Sequence, residues 1–148
     1  WKVLKQLTEN HFTAIGTQQF VEHTRLITLK VKDVIRPGNP TIAVSATILD
    51  ALVEMSRTKL GAVTILDENQ QIYGIFTDGD LRRQIEAKGK DVLQQPLSTL
   101  PSKRPHQVEL HALLMDAQEA FRQSKVDTLL VVDAGRPVGM LDIQDLIA

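Results

Sequence analysis

Hydrophobic and polar positions along this chain change period in a fixed order, and the order is run through twice. Ile48, Leu52 and Met55 recur at helical spacing, with Leu49 and Val53 beside the stripe, and Ser45 or Thr47 ahead of it is suited to cap a helix. Gly61 closes that helix region. Ala62 to Leu66 is a short, nearly unbroken apolar run that predicts a buried strand. Asp67 to Gln71 is a polar loop, and Ile72 to Phe76 predicts the return strand of a hairpin. A second helix is expected from Asp78 or Asp80 through Leu81 and Ile85 to a stop at Gly89. The series then repeats. A helix over 112–124 turns Leu113, Ala117, Ala120 and Phe121 inward, and Thr128 to Val132 predicts a strand. Ala134-Gly135-Arg136 is a tighter turn, Val138 to Leu141 the return strand, and a last helix starts near Gln144.

Proline-punctuated stretches, Arg36 to Pro40 and Leu97 to Pro105, precede the two series, each with room for one short strand. Each copy therefore has the order β-α-β-β-α, and Lys88 to Gln95 is a short polar linker between them. Residues 1 to 30 have no counterpart in the repeat, although Phe20, Val21, Leu26, Ile27 and Leu29 fit a short amphipathic helix.

The repeat extends to individual residues. Gly74-Ile75-Phe76-Thr77-Asp78-Gly79-Asp80-Leu81 is echoed by Gly139-Met140-Leu141-Asp142-Ile143-Gln144-Asp145-Leu146. Asp67 and Asp133, which close the preceding strands, lie 66 positions apart, while Gly74 and Gly139 lie 65 apart, so the second copy has lost one loop residue. Two series in register identify a duplicated module. Each copy alone would bury a marginal core, so the 148 residues are expected to form one α+β body.

Composition narrows the function by exclusion. A net charge of −1 gives no electrostatic footprint for nucleic acid or an anionic membrane, and 4% aromatics leave little for base stacking. The chain has no cysteine, hence no disulfide or thiolate site. No run of about 18 apolar residues is present to cross a membrane, and no signal peptide starts at Trp1. A cytoplasmic location is expected. The absence of Met at position 1 leads to the expectation that the chain is a piece of a longer polypeptide. No nucleophile stands with a base and no metal set is visible, so this stretch is not expected to be an enzyme by itself. His106 and His111, like His11 and His23, lack zinc-ligand spacing, and Met55, Met115 and Met140 read as core fillers.

The candidate chemistry lies where the return strand runs into the next helix. Such a junction presents unpaired backbone N–H groups and the positive end of a helix dipole, a seat for an anion. Thr77 can offer its hydroxyl and N–H to a phosphate, and Asp80 can accept from both hydroxyls of a ribose. Gly79 allows close approach, while Arg82 and Arg83 can neutralise phosphate charge. A Thr followed three residues on by an Asp equally describes the cap and first turn of an ordinary helix, and the spacing alone leaves both readings open. In the second copy Asp142 replaces the Thr and would repel a phosphate, whereas Asp145 keeps the ribose acceptor. One competent site is expected, with the second empty or suited to a less anionic ligand. Lys103-Arg104 reads as a solvated charge run.

The succession of helix, apolar strand, Asp loop and Gly-apolar-apolar-Thr-x-x-Asp-Leu resembles the CBS domain over residues 31 to 148. The resemblance implies tandem CBS domains packed as one pseudo-twofold module, with units at 31–89 and 96–148 and a segment or linker from a preceding domain at 1–30. It also implies a regulatory, nucleotide-sensing role. The nucleotide contacts would then be Gly61, Ala62, Thr77, Asp80, Arg82 and Arg83, with Asp142 and Asp145 as a weaker second set.

The run Gly74 to Arg83 is similar to the first CBS unit of bacterial arabinose-5-phosphate isomerases, which feed synthesis of the acidic sugar Kdo of lipopolysaccharide or capsule. CBS pairs of sugar nucleotidyltransferases can carry the same run. The isomerases have a His-Pro-Gly-Gly stretch ahead of the pair, and this chain has Phe20-Val21-Glu22-His23-Thr24-Arg25 in that region. The expected ligand is an adenosine or cytidine nucleotide, with no covalent cofactor. The expected partners are a catalytic domain of the same polypeptide and a second copy, as a homodimer through the CBS helices. The competing expectation is a dimerisation platform whose nucleotide site is vestigial.

Overall fold

The structure, a computed structural model, describes residues 28–36, 38–102 and 104–146. The helix expected around Phe20 to Leu29 lies outside the described residues apart from Thr28 and Leu29, and so does Lys103 of the basic pair.

In the first copy β1 (Thr41–Ala43) leads to helix α1 (Ile48–Thr58). Of the two expected caps, Thr47 is the one used: its Oγ1 accepts from the Asp50 N–H at 3.1 Å, and the Asp50 carboxylate accepts from the Thr47 N–H at 3.0 Å. Ile48, Ala51 and Met55 form the buried stripe of α1, while Leu49 and Val53 point outward, 36% and 60% exposed. Small Ala51 takes the inward row, and Leu52, expected on the stripe, packs against the core only partly buried. Helix α1 stops at Lys59 in the left-handed region.

Strand β2 (Ala62–Leu66) runs parallel to β1 and antiparallel to β3 (Ile72–Thr77), in the order β1-β2-β3. Val63, Ile65 and Phe76 join Ile48 and Met55 in the core, with Leu81 from α2 (Asp78–Lys88). Helix α2 ends at Gly89, as its sequence predicts. The linker is less polar in place than in sequence. Lys90–Gln94 forms a 3-10 turn that buries Val92 at 4% exposure, and Leu97 just beyond it is fully buried.

The second copy repeats the order with β4 (Gln107–Glu109), α3 (Leu114–Ser124), β5 (Thr128–Asp133) and β6 (Arg136–Asp142), in a sheet β4-β5-β6. Ala134 and Gly135 both adopt positive φ, 52° and 78°, the two-residue turn whose twist suits a hairpin. Leu113 is not a core residue. The helix starts two residues later than the 112–124 span predicts, so Leu113 becomes its N-cap at 39% exposure and Leu114 takes the buried place. Met55 and Met140 are buried, but Met115 is 51% exposed, against expectation. The element expected near Gln144 is a 3-10 turn, Ile143–Asp145, within the described residues.

Two compact units emerge, and they cut across the sequence copies. One combines the described residues of 37–105 with Ala134–Gly139, and the other those of 28–36, 106–133 and 140–146. The first unit closes on Pro96 and Leu97: the Ile48 N–H donates to Gln95 O, and the Leu97 N–H to Ala46 O at 2.7 Å. The second closes in the same way on Lys30 and Val31. There the Val31 N–H donates to Ala112 O at 2.9 Å and the Leu114 N–H to Leu29 O at 2.7 Å. Val31 and Leu97 stand 66 positions apart and are both fully buried. Each copy's leading segment thus belongs to the unit built on the other copy's first helix.

Candidate functional site

The end of β3 and the start of α2 are fixed by a capping box. Thr77 Oγ1 accepts from the Asp80 N–H at 3.1 Å, and Asp80 Oδ2 accepts from the Thr77 N–H at 3.0 Å. The other carboxylate oxygen of Asp80 accepts from Arg83 Nη2. This ion pair is largely in water, its side chains 69% and 36% exposed, so little free energy holds Arg83 in place. The Thr77 hydroxyl, an acceptor in this box, keeps a proton to donate, while the first-turn N–H groups of Asp78 and Asp80 are engaged by the Gly61 carbonyl and Thr77 Oγ1.

Gly61 and Ala62 lie beside this junction. Ala62 pairs with Thr77 across the sheet and its side chain is fully buried. The Asp78 N–H donates to the Gly61 carbonyl at 3.0 Å. Gly61 has φ +72°, and a Cβ there would come within 3.1 Å of the Asp78 carboxylate, so the position is reserved for glycine by both conformation and space. Gly79 has ordinary helical geometry in the first turn of α2, and an added Cβ would first meet the Arg83 guanidinium at 3.4 Å. Of the expected contacts, Gly61, Ala62, Thr77, Asp80 and Arg83 are therefore brought together. Arg82 is exposed on the next position of the helix.

The second copy builds the same box from acidic residues. Asp142 Oδ1 accepts from the Gln144 N–H at 2.8 Å, and Asp145 Oδ2 accepts from the Asp142 N–H at 3.2 Å. Here the second carboxylate is already engaged: Arg36 Nε donates to both oxygens of Asp145 at 2.9 Å, with side chains 33% and 20% exposed. A partly desolvated pair of this kind holds more firmly than the solvated one at Asp80. Sequence reasoning took Arg36 only as the start of a turn, and a pairing across 109 positions leaves no local signal. Among the described residues no group of three or more His, Asp or Glu side chains is arranged to hold a metal ion.

Beside Asp80 a cavity of about 250 Å³ opens, entirely within the unit built on the first copy. Tyr73 and Phe76 of β3 form one wall and Leu100 and Pro101 another, while Asp80, Arg83 and Gln84 lie along the α2 side. Two hydrogen bonds fasten the second wall, from Tyr73 Oη to Leu100 O and from Ser102 Oγ to Tyr73 O. The sequence singled out neither Tyr73 nor Gln84, although Gln84 follows Asp80 by one helical turn.

A duplicated α+β unit with a helix-capping Thr or Asp and an Asp three residues on defines a class of small tandem-repeat module. The CBS domain family matches residues 31–87 and 97–148. The chain belongs to that family. Among characterised proteins it is 38% identical over 126 residues to arabinose 5-phosphate isomerase KdsD of Pseudomonas aeruginosa, covering 83% of this chain and 38% of the isomerase. It is 36% identical over 107 residues to arabinose 5-phosphate isomerase GutQ of Escherichia coli, covering 72% of this chain and 33% of that protein. The chain thus spans little more than a third of these relatives. A CBS-domain containing protein of Agrobacterium tumefaciens superposes with a TM-score of 0.71 at 26% identity, over 82% of this chain and 92% of that one. A CBS domain protein of Pyrobaculum aerophilum, complexed with AMP, superposes at 0.72 with 19% identity, over 80% and 91%. Both share the fold. Among the described residues no helix is long and apolar enough to cross a membrane.

Proposed function

We propose that this CBS pair is a regulatory sensor of an adenosine nucleotide, acting in the cytoplasm on an attached arabinose-5-phosphate isomerase of Kdo synthesis. The observation that carries the reading is the junction at Thr77 and Asp80. There a hydroxyl with a proton to donate, the start of α2, and a carboxylate held by the Thr77 N–H and a solvated arginine lie beside an open cavity. Phosphate would sit on Thr77 and the α2 N-terminus with Arg82 and Arg83 near it, ribose on Asp80, and the backbone at Gly61 and Ala62 close by. The similarity to isomerases supports the attached activity, and AMP in the Pyrobaculum protein favours adenosine over cytidine. Regulation follows if the nucleotide binds two arrangements of the pair unequally, because only differential affinity can shift an equilibrium.

A second reading is favoured by the apolar residues left exposed on the helices: Leu49, Val53 and Ile85 in one unit, Leu113 and Met115 in the other. These suit a homodimer through the CBS helices, with the pair acting chiefly as an assembly platform. A thermal-shift screen with AMP, ADP, ATP, CMP, CTP, GMP and UMP separates the two. A ligand at a hundred times its Kd adds about 2.7 kcal/mol, or roughly 5–10 °C for a chain of this size. A shift with adenosine nucleotides supports the sensor. No shift with any of them, together with a concentration-dependent melting temperature, supports the platform.

A further inference from the structure

Arg36 is the last residue of the leading segment that packs with the second copy, and its guanidinium reaches Asp145, the repeat counterpart of Asp80. The arginine on Asp80 is local, Arg83 three residues on, whereas the position equivalent to Arg83 in the second copy is Ala148. The arginine of the second motif therefore comes from 109 positions away. The two leading segments also differ in how they are tied. Residues 95–102 run between α2 and β4, so the repeat itself holds them at both ends. There Ser102, the counterpart of Arg36, makes a neutral hydrogen bond to Tyr73 O at 3.0 Å. Residues 28–36 join the repeat at their C-terminal end alone, because residues 1–27 have no counterpart in it. Docking such a segment costs more conformational freedom and calls for a firmer tie.

We propose that the Arg36–Asp145 pair is a latch. It holds the leading segment on the unit of the second copy, and the second motif has this anchoring role in place of ligand binding. The segment's own backbone ties lie further back, where the Val31 and Lys32 N–H groups donate to Ala112 O and Leu110 O, and the Leu114 N–H donates to Leu29 O. The latch closes its far end. A charge pair partly open to solvent biases the segment toward its docked state and still opens reversibly. The device has two states, docked and released, and it sets how firmly the chain ahead of residue 28 is coupled to the repeat. It goes beyond the nucleotide reading and would stand if no nucleotide bound.

The test is amide hydrogen exchange of the 148-residue chain, followed residue by residue by NMR, for the wild type, Arg36→Gln, Asp145→Asn and the double variant. Gln keeps much of the apolar stem of Arg36, and Asn keeps a carbonyl to accept from the Asp142 N–H. Each single variant should speed exchange at Val31, Lys32 and Leu114 by about five- to thirtyfold, the range for a charge-assisted bond that is partly solvated. The double variant should exchange no faster than the singles, because the same interaction is missing from all three. Leu110 and Leu130, whose N–H groups donate to Val132 O and His106 O within the same unit, should keep their wild-type rates. Unchanged exchange at Val31 and Lys32 in Arg36→Gln overturns the latch. Equal acceleration at Leu110 and Leu130 overturns it too, since the pair would then be a general support of the unit. A double variant whose effect is the product of the two singles would show that Arg36 and Asp145 act separately, and the latch would fall.

Discussion

Thr77→Asp separates helix capping from ligand binding, and the chain already contains the control. Position 142 is the repeat counterpart of Thr77, and its Asp caps the following turn through a 2.8 Å bond from the Gln144 N–H. Asp is as good an N-cap as Thr and adds a favourable charge at the helix start, so the variant should match wild-type stability to within roughly 0.5 kcal/mol. Its effect on a phosphate should be large. Two like charges about 4 Å apart repel by about 1 kcal/mol in water and about 4 kcal/mol at the effective dielectric of a protein surface. Thr77 is half-buried, so the true value lies between these limits. AMP affinity should therefore fall by a factor between about 5 and several hundred, while adenosine, which has no phosphate, is bound almost as before. Calorimetry with both ligands and a thermal melt of each protein make the measurement. Retention of wild-type AMP affinity would refute the placement of phosphate at Thr77. Equal loss of AMP and adenosine with a lowered melting temperature would mean that the residue acts only as a cap.

Other expectations follow from the same geometry. Asp142→Thr removes the misplaced carboxylate of the second copy, but with Arg36 still on Asp145 the nucleotide stoichiometry should stay at one per chain; calorimetry giving two would show that the ion pair is no barrier. Val31→Ala and Leu97→Ala remove fully buried side chains from equivalent places, and each should cost about 1–4 kcal/mol in chemical denaturation, with a cost near zero contradicting the exchanged segments. Thr64 is fully buried and its hydroxyl has no partner among the described residues, so Thr64→Val should be neutral or stabilise by up to about 1 kcal/mol in thermal melts. The hydrogen bond from Arg57 lowers the pKa of Glu54. A carboxylate with a lowered folded pKa adds stability above its unfolded pKa and loses it as pH falls through the folded value. Because the Glu54 pair is solvent-screened, Glu54→Gln should leave the melting curve nearly unchanged at neutral pH.

Much of this architecture was legible because periodicity and punctuation are local. The hairpin at Ala134 and Gly135, the stop of α2 at Gly89 and the Thr77 to Asp80 spacing are each written within a few residues. Helix faces were read less well. Counting hydrophobic residues put Leu113 and Met115 in the core, whereas Leu114 occupies the inward place and leaves both outside, with Ala117 inward as read. The linker misled for a related reason, since Val92 and Leu93 are a lone apolar pair in a polar stretch, yet Val92 is buried and Leu93 packs partly against the core. Long-range pairing had no local signal at all. Arg36 on Asp145, and Leu29 to Val31 against Leu110 to Leu114, join residues separated by most of the chain. For the site, the sequence pointed to the junction, but the cavity wall of Tyr73, Gln84 and Leu100 depends on tertiary packing.

The central claim is that the Thr77 and Asp80 junction binds a nucleotide, and it is tested most directly by titrating AMP into the chain and into Asp80→Ala. The account predicts one site per chain and a loss of at least about tenfold in Asp80→Ala, since hydrogen bonds to a charged group contribute about 1.5–3 kcal/mol. The variant should still fold, losing about 1 kcal/mol with its capping box. No binding by the wild-type chain, or equal affinity in the two proteins, would contradict it.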